Sequence, residues 1–87
     1  MSGKIILITG CSSGIGECVA HGLKMRGWRV FATTRQPADV ARLQAEGLES
    51  LPLDLRDSTS IQAAVAAVLE RTGGRLDALV NNGAYGQ

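Results

Sequence analysis

Apolar residues follow two rhythms along this chain. Lys4 to Thr9 is a short, nearly unbroken apolar run, Ile-Ile-Leu-Ile at its centre, that ends in Gly10. β-Branched residues dominate it, as in a central strand of a parallel sheet buried on both faces. From Gly14 the period lengthens: Ile15, Cys18, Val19, Gly22 and Leu23 recur at helical spacing, and Gly27 is placed to stop the helix. Arg29 to Thr34 is β-branched and aromatic again, a second strand. Pro37 suits a helix's first turn; Val40 and Leu43 give that helix a short stripe, and Gly47 ends it.

Leu48 to Asp54 predicts a third strand, with Pro52 inside it. Proline cannot donate to a ladder, so this strand belongs at a sheet edge. Asp57 or Ser58 caps a third helix whose stripe is Ile61, Ala64, Val65, Val68 and Leu69, closed by Gly73-Gly74. Leu76 to Asn81 is a fourth strand, and Asn82 to Gln87 a glycine-containing loop. The order βαβαβαβ predicts a parallel sheet with helices on both faces. If strands one to three run outward in sequence and strand four returns beside strand one, the spatial order is 3-2-1-4; right-handed crossovers then put the first two helices on one face and the third on the other, with a switch point between strands one and four.

The densest chemistry lies at the first strand-to-helix turn, Thr9-Gly10-Cys11-Ser12-Ser13-Gly14-Ile15-Gly16. Glycines there permit a tight turn, close approach of backbone to a pyrophosphate, and close packing of helix on strand. The phosphates would meet N–H groups at the positive end of a helix. The bland alternative is a glycine-rich turn with no ligand.

Composition narrows the class. The chain has 87 residues, enough for one small domain. Nine basic and eight acidic residues leave a net charge of +1, so no broad field draws nucleic acid or an anionic membrane. Two cysteines and one histidine build neither a disulfide framework nor a zinc set of Cys and His. Free thiols and the lack of any signal-peptide layout point to a cytoplasmic protein. Cys11, in the loop, is either a small filler or a thiol activated at a helix N-terminus; the filler fits better. Cys18 is expected in the core, Trp28 packed under the second strand, His21 facing solvent, and Tyr85 a loop filler.

The spacing Thr-Gly-x-x-x-Gly-Ile-Gly resembles the cofactor motif of the short-chain dehydrogenase/reductase family. Asp54-Leu55 resembles that family's adenine-contacting acidic step, and Asn81-Asn82-Gly83-Ala84 its Asn-Asn-Ala-Gly, with the last two residues reversed. The resemblance implies that this is the N-terminal part of one Rossmann-type domain. It implies cofactor contacts from Gly10, Ser12, Ser13, Gly14, Ile15, Gly16, Asp54, Leu55, Asn81, Gly83 and Ala84. Asn81 would also tie the central strands together.

Cofactor charge is read near the end of the second strand, where an NAD enzyme carries a carboxylate for the ribose 2′-OH. Here the residues are Thr33-Thr34-Arg35, and no acid follows until Asp39. A guanidinium at Arg35 matches a 2′-phosphate, so NADP(H) is expected over NAD(H). A solvated Arg35 at a helix start is the alternative. The basic residue that the family often carries before the second glycine of the loop is Ser13 here.

The resemblance implies hydride transfer between the nicotinamide and a carbonyl or alcohol of a small-molecule substrate, in a homo-oligomer. The family's catalytic Ser and Tyr-x-x-x-Lys have no counterpart in this sequence, where no Ser or Lys follows Gly73. No catalytic residue is therefore assigned to the chain, which is expected to be an inactive fragment with an associating open edge. A stand-alone dinucleotide-binding module without catalysis is the other reading.

Overall fold

The computed structural model describes residues 3–11, 14–54 and 56–81, the side chain of Asn81 excepted. Four strands and three helices alternate: β1 (Ile5–Thr9), α1 (Gly14–Met25), β2 (Arg29–Thr34), α2 (Pro37–Ala45), β3 (Glu49–Pro52), α3 (Ser58–Thr72) and β4 (Ala78–Asn81). The strands are parallel and lie in the order β3-β2-β1-β4, the order expected. β3 and β4 are shorter than their apolar runs. Pro52 has no N–H, yet the ladder continues past it through the Leu53 N–H, which donates to the Thr34 carbonyl at 3.0 Å. Pro52 is exposed on the edge strand, where it leaves no partner unpaired.

Alternation along the strands divides the core in two. Ile6, Ile8, Val30 and Ala32 face α1 and α2, packing with Ala20 and Leu43. Ile5, Leu7, Phe31 and Leu51 face α3, packing with Val68. Every residue of β1 is buried, as its unbroken apolar run requires.

The helices end where glycine allows a left-handed turn. Gly27 has φ +93°, Gly47 +91° and Gly73 +72°. The Asp57 carboxylate accepts from the Thr59 N–H at 3.0 Å and caps α3.

The face of α1 differs from the expected stripe. Cys18 is exposed rather than in the core, Ile15 is 73% exposed and Val19 39%; Gly16 and Ala20 are buried instead. Leu23, from the expected stripe, does pack against the core, so the buried face of α1 combines Gly16, Ala20 and Leu23. Trp28 packs against the α1–α2 side of the core, with the Lys4 ammonium 5.6 Å from its ring centroid. No helix of the described residues is long and apolar enough to cross a membrane.

Candidate cofactor site

Parallel strands deliver their carboxyl ends to one rim, and the candidate residues follow those ends. β1 sits between β2 and β4, and Thr9 pairs with Asn81 at the rim. The Thr9 hydroxyl donates to the Val80 carbonyl at 3.4 Å. Chain order reverses between β1 and β4, and a crevice at such a reversal is where open α/β sheets take ligands.

Gly10 follows β1 directly with φ +70°, a left-handed conformation that turns the chain off the strand. Cys11 is completely buried; its thiol lies 3.4 Å from the Ile8 carbonyl, to which it donates. Burial pushes that thiol up to about 11, outweighing a backbone hydrogen bond from the Thr33 side that lowers it. It is a filler in the core at the end of β1, and the activated-thiol alternative is set aside.

Gly14 opens α1 and is exposed, and a Cβ built there meets no atom within 4 Å. Among the described residues nothing bars a side chain at this position. Gly16, one half-turn on, is buried and lets α1 close on the sheet. Ile15 is exposed beside them. Ser12, Ser13, Leu55, Asn82, Gly83, Ala84 and Tyr85 lie outside the described residues, as does the Asn81 side chain.

At the end of β2, Arg35 is exposed and no carboxylate adjoins it in sequence. Asp39, the next acid, sits in the first turn of α2 and pairs with Arg42 at 3.6 Å. The rim does hold one carboxylate near Arg35. Asp54, two residues beyond β3, accepts from the Arg56 backbone at 2.9 Å and its guanidinium at 3.1 and 3.2 Å. Those hydrogen bonds hold the Asp54 carboxyl below the usual carboxylate range, and the charge of Arg35 contributes. The Asp54 N–H donates to Ser60 Oγ at 2.9 Å, anchoring this turn to α3.

Two residues that sequence reasoning passed over hold the rim together. The Thr33 hydroxyl donates to the Ile8 carbonyl at 2.9 Å, and the Thr34 hydroxyl accepts from the Gln36 N–H at 3.4 Å. Both threonines are buried, and in sequence they are indistinguishable from ordinary strand formers.

The family model for short chain dehydrogenases matches residues 4–87. The chain belongs to the short-chain dehydrogenase family. It is 41% identical to a short-chain dehydrogenase of Penicillium ochrochloron, over 99% of this chain and 32% of that protein. Among solved structures it is similar to the 3-ketoacyl-(acyl-carrier-protein) reductase of Brucella melitensis complexed with NADH. The TM-score is 0.81 at 32% identity, over 90% of this chain and 33% of that one. It is also similar to the F189W actinorhodin polyketide ketoreductase with NADPH, at TM-score 0.78 and 39% identity, over 91% of this chain and 32% of the other. This short-chain dehydrogenase chain thus spans about a third of the length of the relatives it matches.

Proposed function

We propose that the chain is the cofactor-binding portion of an NADP(H)-dependent short-chain oxidoreductase, acting in the cytoplasm on a carbonyl or alcohol of a small-molecule substrate. When bound, the nicotinamide would donate or accept the hydride. The part of this chain is to hold the dinucleotide. Gly10, Gly14 and Gly16 would admit the pyrophosphate to the N-terminus of α1, with Ser12, Ser13 and Ile15 lining the same turn. Asp54 and Leu55 would border the adenine, and Asn81, Gly83 and Ala84 the far side of the crevice between β1 and β4. Catalytic groups are assigned to none of these residues.

The observation that carries the NADP(H) preference is the exposed Arg35 immediately after β2, at the sequence position where an NAD enzyme carries a carboxylate for the ribose 2′-OH. A guanidinium pairs with a phosphate through charged hydrogen bonds in a planar fork. Similar structures carry NADH in one case and NADPH in the other, so the preference rests on this residue and not on the likeness.

Fluorescence titration of NADPH and NADH against wild type and Arg35→Asp tests the reading. Wild type should bind NADPH more tightly, and the variant should lose ~1.5–3 kcal/mol toward NADPH, roughly 10- to 150-fold. Equal wild-type affinities would overturn the preference, and binding of neither cofactor would overturn the dinucleotide site itself.

A further inference from the structure

α1 and α2 lie on the same face of the sheet, and a cluster of charged groups closes the seam between them. Glu17 and His21 stand one turn apart on α1, and Glu46 is the residue that caps the C-terminus of α2. His21 Nε2 lies 2.8 Å from Glu46 Oε1 and 3.8 Å from Glu17 Oε2. Arg42 takes the other oxygens: its Nη1 donates to Glu17 Oε1 at 2.8 Å and to Glu46 Oε2 at 3.2 Å. Each carboxylate therefore gives one oxygen to the guanidinium and turns the second toward the imidazole. The three inward atoms all lie within 4.8 Å of one another.

We propose that Glu17, His21 and Glu46 form a binding site for a borderline divalent transition-metal ion, Zn²⁺ foremost, that clips α1 to α2. Ligand atoms at zinc distances of about 2.0–2.2 Å in a tetrahedron stand roughly 3.4 Å apart. The His21–Glu46 and His21–Glu17 separations of 2.8 and 3.8 Å bracket that value, and with all three atoms within 4.8 Å of one another the two carboxylates need shift by at most about 1.4 Å relative to each other to close the set. One imidazole with two carboxylates suits zinc and its neighbours better than calcium, which takes six to eight oxygens. The proton of a neutral His21 would move from Nε2 to Nδ1 as Nε2 takes the ion.

Charge favours the ion. Three carboxylates gather on Arg42, since Asp39 also approaches it at 3.6 Å. Lys24, the other cation at this seam, donates to the Gly47 carbonyl. Arg42 serves as an outer partner that orients both carboxylates, as groups behind a metal's ligands commonly do. All three ligands are partly exposed, at 37%, 25% and 34%, which leaves a side open for water to complete the coordination.

The site is separate from the cofactor rim. His21 lies seven residues beyond Gly14 on α1, about 10 Å along the helix axis at 1.5 Å per residue. An ion that binds only the folded chain raises its melting temperature, so stability reports on the site without any enzymatic assay.

The experiment uses the full chain with Cys18→Ser in every arm, because the exposed Cys18 thiol beside Glu17 would itself attract soft metals. Zn²⁺ alone is titrated by calorimetry and its effect on thermal unfolding is measured; Co²⁺ then serves as a spectroscopic probe of coordination. One equivalent of Zn²⁺ should bind and raise the melting temperature. His21→Ala and Glu46→Gln should each weaken binding by at least about tenfold and abolish the low-symmetry Co²⁺ visible bands. Binding unchanged in both variants, or none at millimolar Zn²⁺, would overturn the site.

Discussion

The backbone N–H of Cys11 donates to the carbonyl of Thr33 at 2.9 Å, which ties the turn after β1 to the end of β2. Two residues further on stands Arg35. The Thr33 hydroxyl returns the connection to β1 at the Ile8 carbonyl, again at 2.9 Å. The turn proposed to take the pyrophosphate and the residue proposed to read the 2′-phosphate are thus held as one unit. Binding energy at one can then be spent without first ordering the other.

Thr33→Val keeps the shape and removes the hydroxyl from a fully buried position. Loss of this hydrogen bond should cost about 1 kcal/mol of stability, with NADPH affinity reduced in parallel. Urea unfolding and cofactor titration of the same preparation check both; unchanged stability would show that the Ile8 carbonyl is satisfied by its strand partners alone.

Gly14→Val and Gly16→Val should separate ligand from fold. At Gly14 the added side chain enters open space, so the melting temperature should hold while dinucleotide binding weakens about 100-fold or more, ~3 kcal/mol. Gly16 is buried under the sheet, so Val there should also destabilise the chain by about 1–3 kcal/mol through overpacking. Calorimetry against thermal melts distinguishes them, and retained binding in Gly14→Val would contradict the phosphate turn.

The two cysteines should differ sharply toward an alkylating reagent. With its thiol pushed up to about 11 and no exposed surface, Cys11 carries roughly one part in a thousand of thiolate at pH 8 and has no access to reagent. Cys18 is exposed. Iodoacetamide under native conditions should modify Cys18 alone, with Cys11 reacting only after unfolding, as read by peptide mass spectrometry. Comparable labelling rates would contradict the buried filler.

Asp77 should give the chain an acid-sensitive joint. Its carboxylate accepts from the Ile5 N–H at 2.7 Å and pairs with Arg75 at 3.1 Å. The Ile5 hydrogen bond, first among its causes, holds the carboxyl below its ordinary value of 3.8. A depressed folded value stabilises the fold above that ordinary value and loses the contribution as pH falls through the folded one. Asp77→Ala should therefore melt below wild type at pH 7, and the gap should close progressively beneath about pH 4. A gap independent of pH would point to lost packing instead of lost charge.

Much of this was legible in order and punctuation. Pro52 announced an edge strand, Asp57 a cap, and Gly27, Gly47 and Gly73 the helix ends, because each of these is a local demand of φ, of a missing N–H or of an orphan donor. The candidate site was legible for a similar reason, since glycines at a strand-to-helix turn answer to backbone geometry and a phosphate. The same reading placed Cys18 in the core and missed the seam of Glu17, His21 and Glu46, where counting only cysteine and histidine hid the carboxylates.

By itself, then, the sequence determined the alternation of strands and helices, the parallel sheet and its order, and the turn that would hold a dinucleotide. Local propensity and apolar period give the elements, and Pro52 at an edge with the usual return of the fourth strand beside the first gives the order. Only the tertiary structure decided which face of α1 is buried, because close packing on a sheet selects the small Gly16 and Ala20 over larger apolar neighbours. It also decided that Asp77 would reach Ile5 across 72 residues and that His21 would meet Glu46 across 25. Such pairs depend on the register of strands and the seating of two helices on a common face, which no local pattern along the chain encodes.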